Sequence, residues 1–336
     1  VYCWGVNNYS QLGNGTGNTS HVPVRVLKGE AASTDTDGTY LTNIKDISAG
    51  EYYTCAVSNQ GNVYCWGVNN YSQLGNGTTN NSSTPVRVLK GEATSTDTDG
   101  TYLTNIRDIS AGGYHTCALS NQGNVYCWGH NNYGQLGNGT TNDSYIPVRV
   151  LAGEAASEDT DGTYLTNITS ISAGSHTCAL SNQGNIYCWG YNNDGELGNG
   201  NITNSSAPVR VLAGEATSGD TDGTYLNNIK DIAAGNIHTC AVSNQGNVYC
   251  WGYNNYGQLG NGTTQDSSTP VRVLKGEATS TDTDGTYLTN IGNIAADGVH
   301  TCAVSNQGNV YCWGYNYSGQ LGNCLLYTSP SPRDLS

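Results

Sequence analysis

The sequence predicts an all-β fold, a β-propeller of four-stranded antiparallel blades. Three observations lead there. Cys-Trp-Gly recurs six times, with Trp4, Trp66, Trp128, Trp189, Trp251 and Trp313 spaced 62, 62, 61, 62 and 62 residues apart. A fixed period of that length marks an array whose like units bury their apolar faces against one another. Each period also holds four short apolar runs without helical periodicity, the content of one propeller blade.

The elements of one period follow in order over residues 84–147. Residues 85–89, Pro-Val-Arg-Val-Leu, read as a first strand, with a proline where a strand tolerates one. A polar stretch from Lys90 ends in Asp97-Thr98-Asp99-Gly100. Residues 106–111, Ile-Arg-Asp-Ile-Ser-Ala, form the second strand, stopped by Gly112 and Gly113. The third is residues 115–119, His-Thr-Cys-Ala-Leu, and the fourth residues 124–128, Asn-Val-Tyr-Cys-Trp. Pairing Cys117 with Cys127 sets Ala118 opposite Tyr126, Leu119 opposite Val125 and Ser120 opposite Asn124. Asn121, Gln122 and Gly123 remain as the loop, with glycine where a three-residue hairpin needs its left-handed residue.

That register places two cysteines face to face. The ten-residue spacing recurs in Cys55 and Cys65, Cys117 and Cys127, Cys178 and Cys188, Cys240 and Cys250, and Cys302 and Cys312. Opposed cysteines have the separation a disulfide needs. Each bridge is worth about 2–3 kcal/mol in the loop-entropy view, and persistent disulfides point to an oxidising compartment. The alternative is five reduced pairs acting as small apolar fillers. A zinc reading of His115, Cys117 and Cys127 lacks a fourth ligand, and Tyr53 stands at the histidine position of the first complete copy. A structural histidine is expected there.

The motif Ile109 to Leu119, with Val125-Tyr126-Cys127-Trp128-Gly129 and residues 132–137, Asn-Tyr-Gly-Gln-Leu-Gly, resembles the regulator of chromosome condensation repeat over residues 1–323. The resemblance implies propellers of seven blades, of which about five to six are expected here, the first unit being truncated. Within this array the polar loop after Pro-Val-Arg-Val-Leu is an addition to the family pattern. The chain starts inside a repeat and contains no methionine, so a longer parent is expected. Residues 324–336 match nothing upstream and read like one frame of a sequencing adapter, a non-native tail.

The chain carries 26 acidic and 12 basic side chains, a net charge of −14. Its 11% charged residues compare with roughly 25% in ordinary soluble proteins. Nucleic acid and anionic membranes require a cationic face, so neither is an expected partner. No run approaches the ~20 apolar residues of a membrane span.

Strand alternation sorts the loops onto two faces. The added loop, which follows the first strand, carries Glu30, Asp35 and Asp37, then Glu92, Asp97 and Asp99, and likewise Glu154, Asp159, Asp161; Glu215, Asp220, Asp222; and Glu277, Asp282, Asp284. With Glu158 these are 16 of the 26 acids, a ring expected to attract cations or a basic partner. The ten aspartates sit in Asp-x-Asp-Gly turns resembling half a calcium loop, although the closing glutamate is absent, Ile106 standing at its place. Calcium is the one cofactor this suggests; Asx-type turns are the alternative. The opposite face varies between copies and offers His130, Tyr133, Tyr145, Tyr191, Tyr253, Tyr256 and Tyr315 as candidate binding residues. No nucleophile elbow, phosphate loop or zincin motif occurs, so no catalytic residue is assigned.

These features predict a non-enzymatic, extracellular or cell-surface module presenting its loops to a protein partner. The resemblance supplies precedents for two protein-directed activities: inhibition of a β-lactamase by extracellular bacterial members, and nucleotide exchange on a Ran-type GTPase by nuclear ones. Carbohydrate binding by the tyrosine-rich loops is a third reading.

Overall fold

A computed structural model describes residues 1–322; the expected foreign tail at 324–336 lies outside the described residues. Four complete blades follow one another, each an antiparallel sheet whose strands a to d run in chain order. The first comprises Ile44–Ala49, Tyr53–Ser58, Val63–Gly67 and Ser82–Arg87. The second comprises Ile106–Ala111, His115–Ser120, Val125–Gly129 and Ser144–Arg149. The third and fourth repeat the plan from Ile168–Ala173 to Ser205–Arg210 and from Ile229–Ala234 to Ser267–Arg272. An opening pair, Tyr2–Gly5 with Ser20–Arg25, takes places c and d. A closing sheet of Ile291–Asp297, His300–Ser305 and Val310–Gly314 takes places a to c.

The phase of the period differs from the expected one. The Pro-Val-Arg run ends the preceding blade as its outer strand d and does not open the next. Val86 pairs with Cys65 and Arg87 with Tyr64, while Leu89 makes only an isolated bridge to Tyr102. Pro85 suits that outermost place, where one side of the strand needs no ladder donor. The b–c hairpin has the expected register: Cys117 faces Cys127, Ala118 faces Tyr126 and Leu119 faces Val125. Ser120 N donates to Asn124 O at 2.9 Å, and Gly123 takes φ +82°.

All five expected cysteine pairs are joined by disulfides within their blades. Cys55 is bonded to Cys65, Cys117 to Cys127 and Cys178 to Cys188. Cys240 is bonded to Cys250, and Cys302 to Cys312 in the closing sheet. In every pair the Cα atoms stand 4.1 Å apart, the close approach of directly opposed residues on neighbouring antiparallel strands.

The apolar layers lie between blades. Cys55, Val57, Val63 and Cys65 of the first blade pack with Ile106, Ile109, Tyr126 and Trp128 of the second, and the next interfaces repeat this. Trp128 is fully buried and its Nε1 donates to Gln73 O at 2.9 Å. The turn after Gln73 passes so close that a Cβ on Gly75 (φ +65°) would stand 2.7 Å from Trp128 Nε1. Only glycine fits there.

Inner strands of neighbouring blades are joined by side chains, because they fan apart and share no ladder. Ser48 Oγ accepts from Ala111 N at 3.0 Å, Ser110 Oγ from Ala173 N at 2.9 Å and Ser172 Oγ from Ala234 N at 2.9 Å. The ends of these strands surround one axial cavity lined by Ser48, Ala111, Gly174 and Ala234 among others. Behind them the strand-b histidines form a buried ladder. His115 Nε2 meets Thr177 Oγ1 of the next blade at 2.8 Å, His176 meets Thr239 at 2.6 Å and His238 meets Thr301 at 2.8 Å. Each threonine hydroxyl gives its one hydrogen to a carbonyl, as Thr177 does to Gln135 O at 3.0 Å, so each histidine Nε2 is the donor. His115 thus has its structural partner in Thr177.

Candidate functional site

On the face formed by the b–c hairpins and the d-to-a connections, each acidic loop buries one carboxylate and leaves its glutamate and second aspartate exposed. The first aspartate of each is buried. Asp97 Oδ2 accepts from Asn124 Nδ2 at 2.9 Å and from the Tyr126 hydroxyl at 2.8 Å; Asp35, Asp159, Asp220 and Asp282 do the same in their units. The second aspartate braces a turn. Asp99 Oδ1 accepts from Thr101 N and Tyr102 N while its Oδ2 pairs with Arg87 at 3.1 Å, and that guanidinium lies 3.9 Å from the Tyr102 ring centroid. Asp37, Asp161, Asp222 and Asp284 repeat the ion pair, and the backbone N–H groups of Tyr40 and Thr39 hold the Asp37 carboxyl down at about 2. Glu30 reaches the neighbouring blade to accept from Arg87 N at 2.9 Å. Among the described residues no three His, Cys, Asp or Glu side chains gather as a metal-holding group.

The a–b and c–d loops make the opposite face, and there the structure assembles an aromatic belt. Tyr9 packs on Tyr52 with ring centroids 4.9 Å apart. Tyr71 packs on Tyr114 at 5.3 Å and on His130 at 4.8 Å. His130 contacts Tyr133 at 6.2 Å, and Tyr133 contacts Tyr191 at 5.1 Å. A further run joins Tyr253, Tyr256, Tyr315 and Tyr317 at 6.2, 5.0 and 5.1 Å. Six of the seven residues expected to bind therefore lie on this face, three in each of two runs. Tyr145 stands apart on an outer strand, 52% exposed. Tyr9, Tyr52, Tyr71, Tyr114 and Tyr317 join the belt without having been singled out from the sequence. A signal was present for four of them, since Tyr9 and Tyr71 share the position of Tyr133, and Tyr52 and Tyr114 share one position of the a–b loop.

The belt rests on rigid loops. Asn131, fully buried, accepts Leu136 N at 2.9 Å and donates to Thr140 O at 3.0 Å and Asn142 O at 2.9 Å. Asn69 and Asn254 hold their loops alike. Side chains so held lose little freedom on binding. Gln73, Gln135 and Gln258 tie the next layer, each Oε1 accepting the N–H of the belt tyrosine two residues earlier. In the third complete blade this position is Glu196, which is fully buried. Burial pushes its carboxyl up to about 7, with Asp194 and Asp266 adding to the effect.

The family model described as the RCC1-like domain matches residues 1–275, and the regulator of chromosome condensation (RCC1) repeat matches residues 298–320. The chain belongs to the RCC1-like family. It is 30% identical over 325 residues to the ultraviolet-B receptor UVR8 of Arabidopsis thaliana, covering 96% of this chain and 62% of the receptor. It is 28% identical over 289 residues to the human E3 ubiquitin-protein ligase HERC2, covering 85% of this chain and 5% of the ligase. The RCC1-like chain thus spans less than two thirds of these relatives. Among solved structures, human WBSCR16 superposes with a TM-score of 0.72 at 22% identity, over 96% of this chain and 72% of that one. Prp20p of Saccharomyces cerevisiae superposes with a TM-score of 0.53 at 18% identity, over 96% and 82%. At such identities the likeness establishes the propeller fold.

Proposed function

We propose that this RCC1-like propeller is a non-enzymatic binding module, working in an oxidising compartment, that engages a protein partner through the aromatic belt. The observation that carries the reading is the belt itself, where exposed tyrosines such as Tyr133, 41% exposed, and Tyr256, 44% exposed, stand on loops braced by buried asparagines. Tyrosine offers large contact area at small entropic cost. One structural neighbour, solved twice, supports a protein partner in kind: yeast RCC1 (Prp20) bound to Kap60, and Prp20p with its binding properties to Gsp1p and histones. The five joined cysteine pairs favour the compartment.

The test is chemical cross-linking in the native extracellular milieu, comparing the wild type with Tyr71→Ala and Tyr256→Ala. A partner cross-linked to the wild type and lost from both variants supports the belt; a partner retained equally by all three sinks it. Catalysed GDP release from a Ran-type GTPase would instead favour the exchange-factor reading. Retention on a glycan array, lost in the same variants, would favour the carbohydrate reading.

A further inference from the structure

The belt runs are separated twice, and the two gaps differ in chemistry. At the first gap Val68 stands where later units have His130 or a tyrosine. At the second the acids enter. Sister loops read Asn-Asn-Tyr-x-Gln-Leu-Gly, but residues 192–197 read Asn-Asn-Asp-Gly-Glu-Leu. Tyr71, Tyr133 and Tyr256 each lay a ring against the aromatic side chain of the following unit, at 4.8, 5.1 and 5.0 Å. Asp194 replaces that ring in front of Tyr253.

Glu196 makes the second difference. Its Oε2 accepts Asp194 N at 3.0 Å, as the glutamine Oε1 does elsewhere. The other end of the side chain is inverted in polarity. Gln135 presents an amide nitrogen to His130 Nδ1 at 3.0 Å, and the amide nitrogens of Gln73 and Gln258 are buried donors without partners. Glu196 places there a buried oxygen, Oε1, that has no partner. This unit alone of the four presents a carboxyl there in place of an amide nitrogen. A third carboxylate comes from the next blade: Gly195 packs on Ser268, and Asp266, two residues before it and exposed, helps push the Asp194 carboxyl up, after burial. Tyr191 lies within the field of Glu196 and Asp194, and Tyr253 follows Gly252, whose Cβ would stand 3.5 Å from the Glu196 Cα.

We propose that this gap is a socket for one lysine or arginine side chain of a protein partner, with Tyr191 and Tyr253 flanking the alkyl stem, Asp194 and Asp266 pairing the charge, and Glu196 as the acceptor beneath. A cation set between aromatic rings and carboxylates gains from both. A lysine or arginine supplies N–H donors for these carboxyl oxygens and matches the charge of Asp194 and Asp266 at the rim. The socket rests on the belt reading and names the chemistry its partner presents.

The experiment is calorimetric titration of the full chain with an oligolysine peptide, against a Gly-Ser peptide of equal length. The variant is the double substitution Asp194→Tyr with Glu196→Gln, which restores the sequence of two sister units that fold in the same array. Oligolysine should bind the wild type and bind the double variant about tenfold more weakly, as expected for loss of close charge pairs. The reciprocal change, Tyr133→Asp with Gln135→Glu, should add a second site. Equal affinity for wild type and double variant, or no binding of oligolysine at all, overturns the socket. The belt reading has its own readout, since Tyr71→Ala lies in another run of the belt and leaves the socket residues untouched.

Discussion

Charging the buried histidine ladder should cost the fold stability as pH falls. Burial drives the pKa values of His115, His176 and His238 down to about 3, about 3 and about 4. An unfolded histidine titrates near about 6.5. Between those limits the unfolded chain binds protons that the fold refuses, so stability is whole above the unfolded value and declines as pH falls toward the folded one. Each histidine removes about 1.4 kcal/mol per pH unit in that window, about 4 kcal/mol for three. Burial lowers His130 as well, and four carboxyls oppose the histidines, Asp194 and Asp231 among them. Glu196 is raised to about 7 by burial, and Asp108 to about 6 by burial and the neighbouring Asp46. They hold protons in the fold that unfolded carboxyls near about 4 do not, so each returns up to about 1.4 kcal/mol per unit as pH falls. The net slope is the difference between these opposing sets, read by urea unfolding at about pH 6 and about pH 5. His238→Tyr copies the natural Tyr53, whose hydroxyl fits the same place by donating to the His115 carbonyl at 2.5 Å. It should remove one histidine's share of the loss, whereas Glu196→Gln should remove one carboxyl's share of the opposing gain. An unchanged slope in His238→Tyr would refute the argument.

Other consequences are equally direct. Alkylation of the native chain without reductant, followed by peptide mass mapping, should return five linked pairs, and removing one as Cys178→Ser with Cys188→Ser should lower stability by about 2–3 kcal/mol in chemical unfolding. Gly75→Ala should cost at least about 2 kcal/mol, since it combines a left-handed backbone with a 2.7 Å approach to Trp128; a neutral effect would mean that the turn relaxes freely. Asp97→Ala should cost about 2–4 kcal/mol by leaving the Tyr126 hydroxyl and Asn124 amide without their acceptor. Because both aspartates of each loop already have partners, millimolar calcium should leave the melting temperature unmoved. A rise abolished by Asp99→Asn would instead establish calcium binding.

Much of the fold was legible in the residues. A hairpin glycine and an apolar alternation determine the register from Cys117 to Val125, because both act over a few residues. The same short-range logic extends to Cys240 with Cys250 and Cys302 with Cys312, whose bonds close where the spacing placed them. The phase of the repeat was not legible, since a periodic string has no origin and the partner of Val86 lies across a variable loop at Cys65. Charge counting located the acidic loops and their exposed outer acids, but not the burial of the first aspartate in each. Nothing in Asp97 itself announces that Asn124 and Tyr126, nearly thirty residues later, will close over it. The belt was half visible, because tyrosine content shows in sequence while ring-to-ring contact between successive units does not. Glu196 was visible as a letter change, yet its meaning lies in an oxygen left alone, which only the packed fold reveals.

Each unit is completed by the one before it: Trp128 is anchored by the Gln73 carbonyl, Thr116 by the same carbonyl, and Arg87 N by Glu30. Every one of these bonds joins one period to the next, and the tryptophan bond recurs from Trp66 to Gln11, Trp189 to Gln135 and Trp251 to Glu196. Loss or gain of a whole period through unequal recombination therefore leaves each remaining junction chemically identical. Copy number is free to drift in such a gene while individual side chains are not, and the near-identity of these units is what recent duplication under that rule would leave behind.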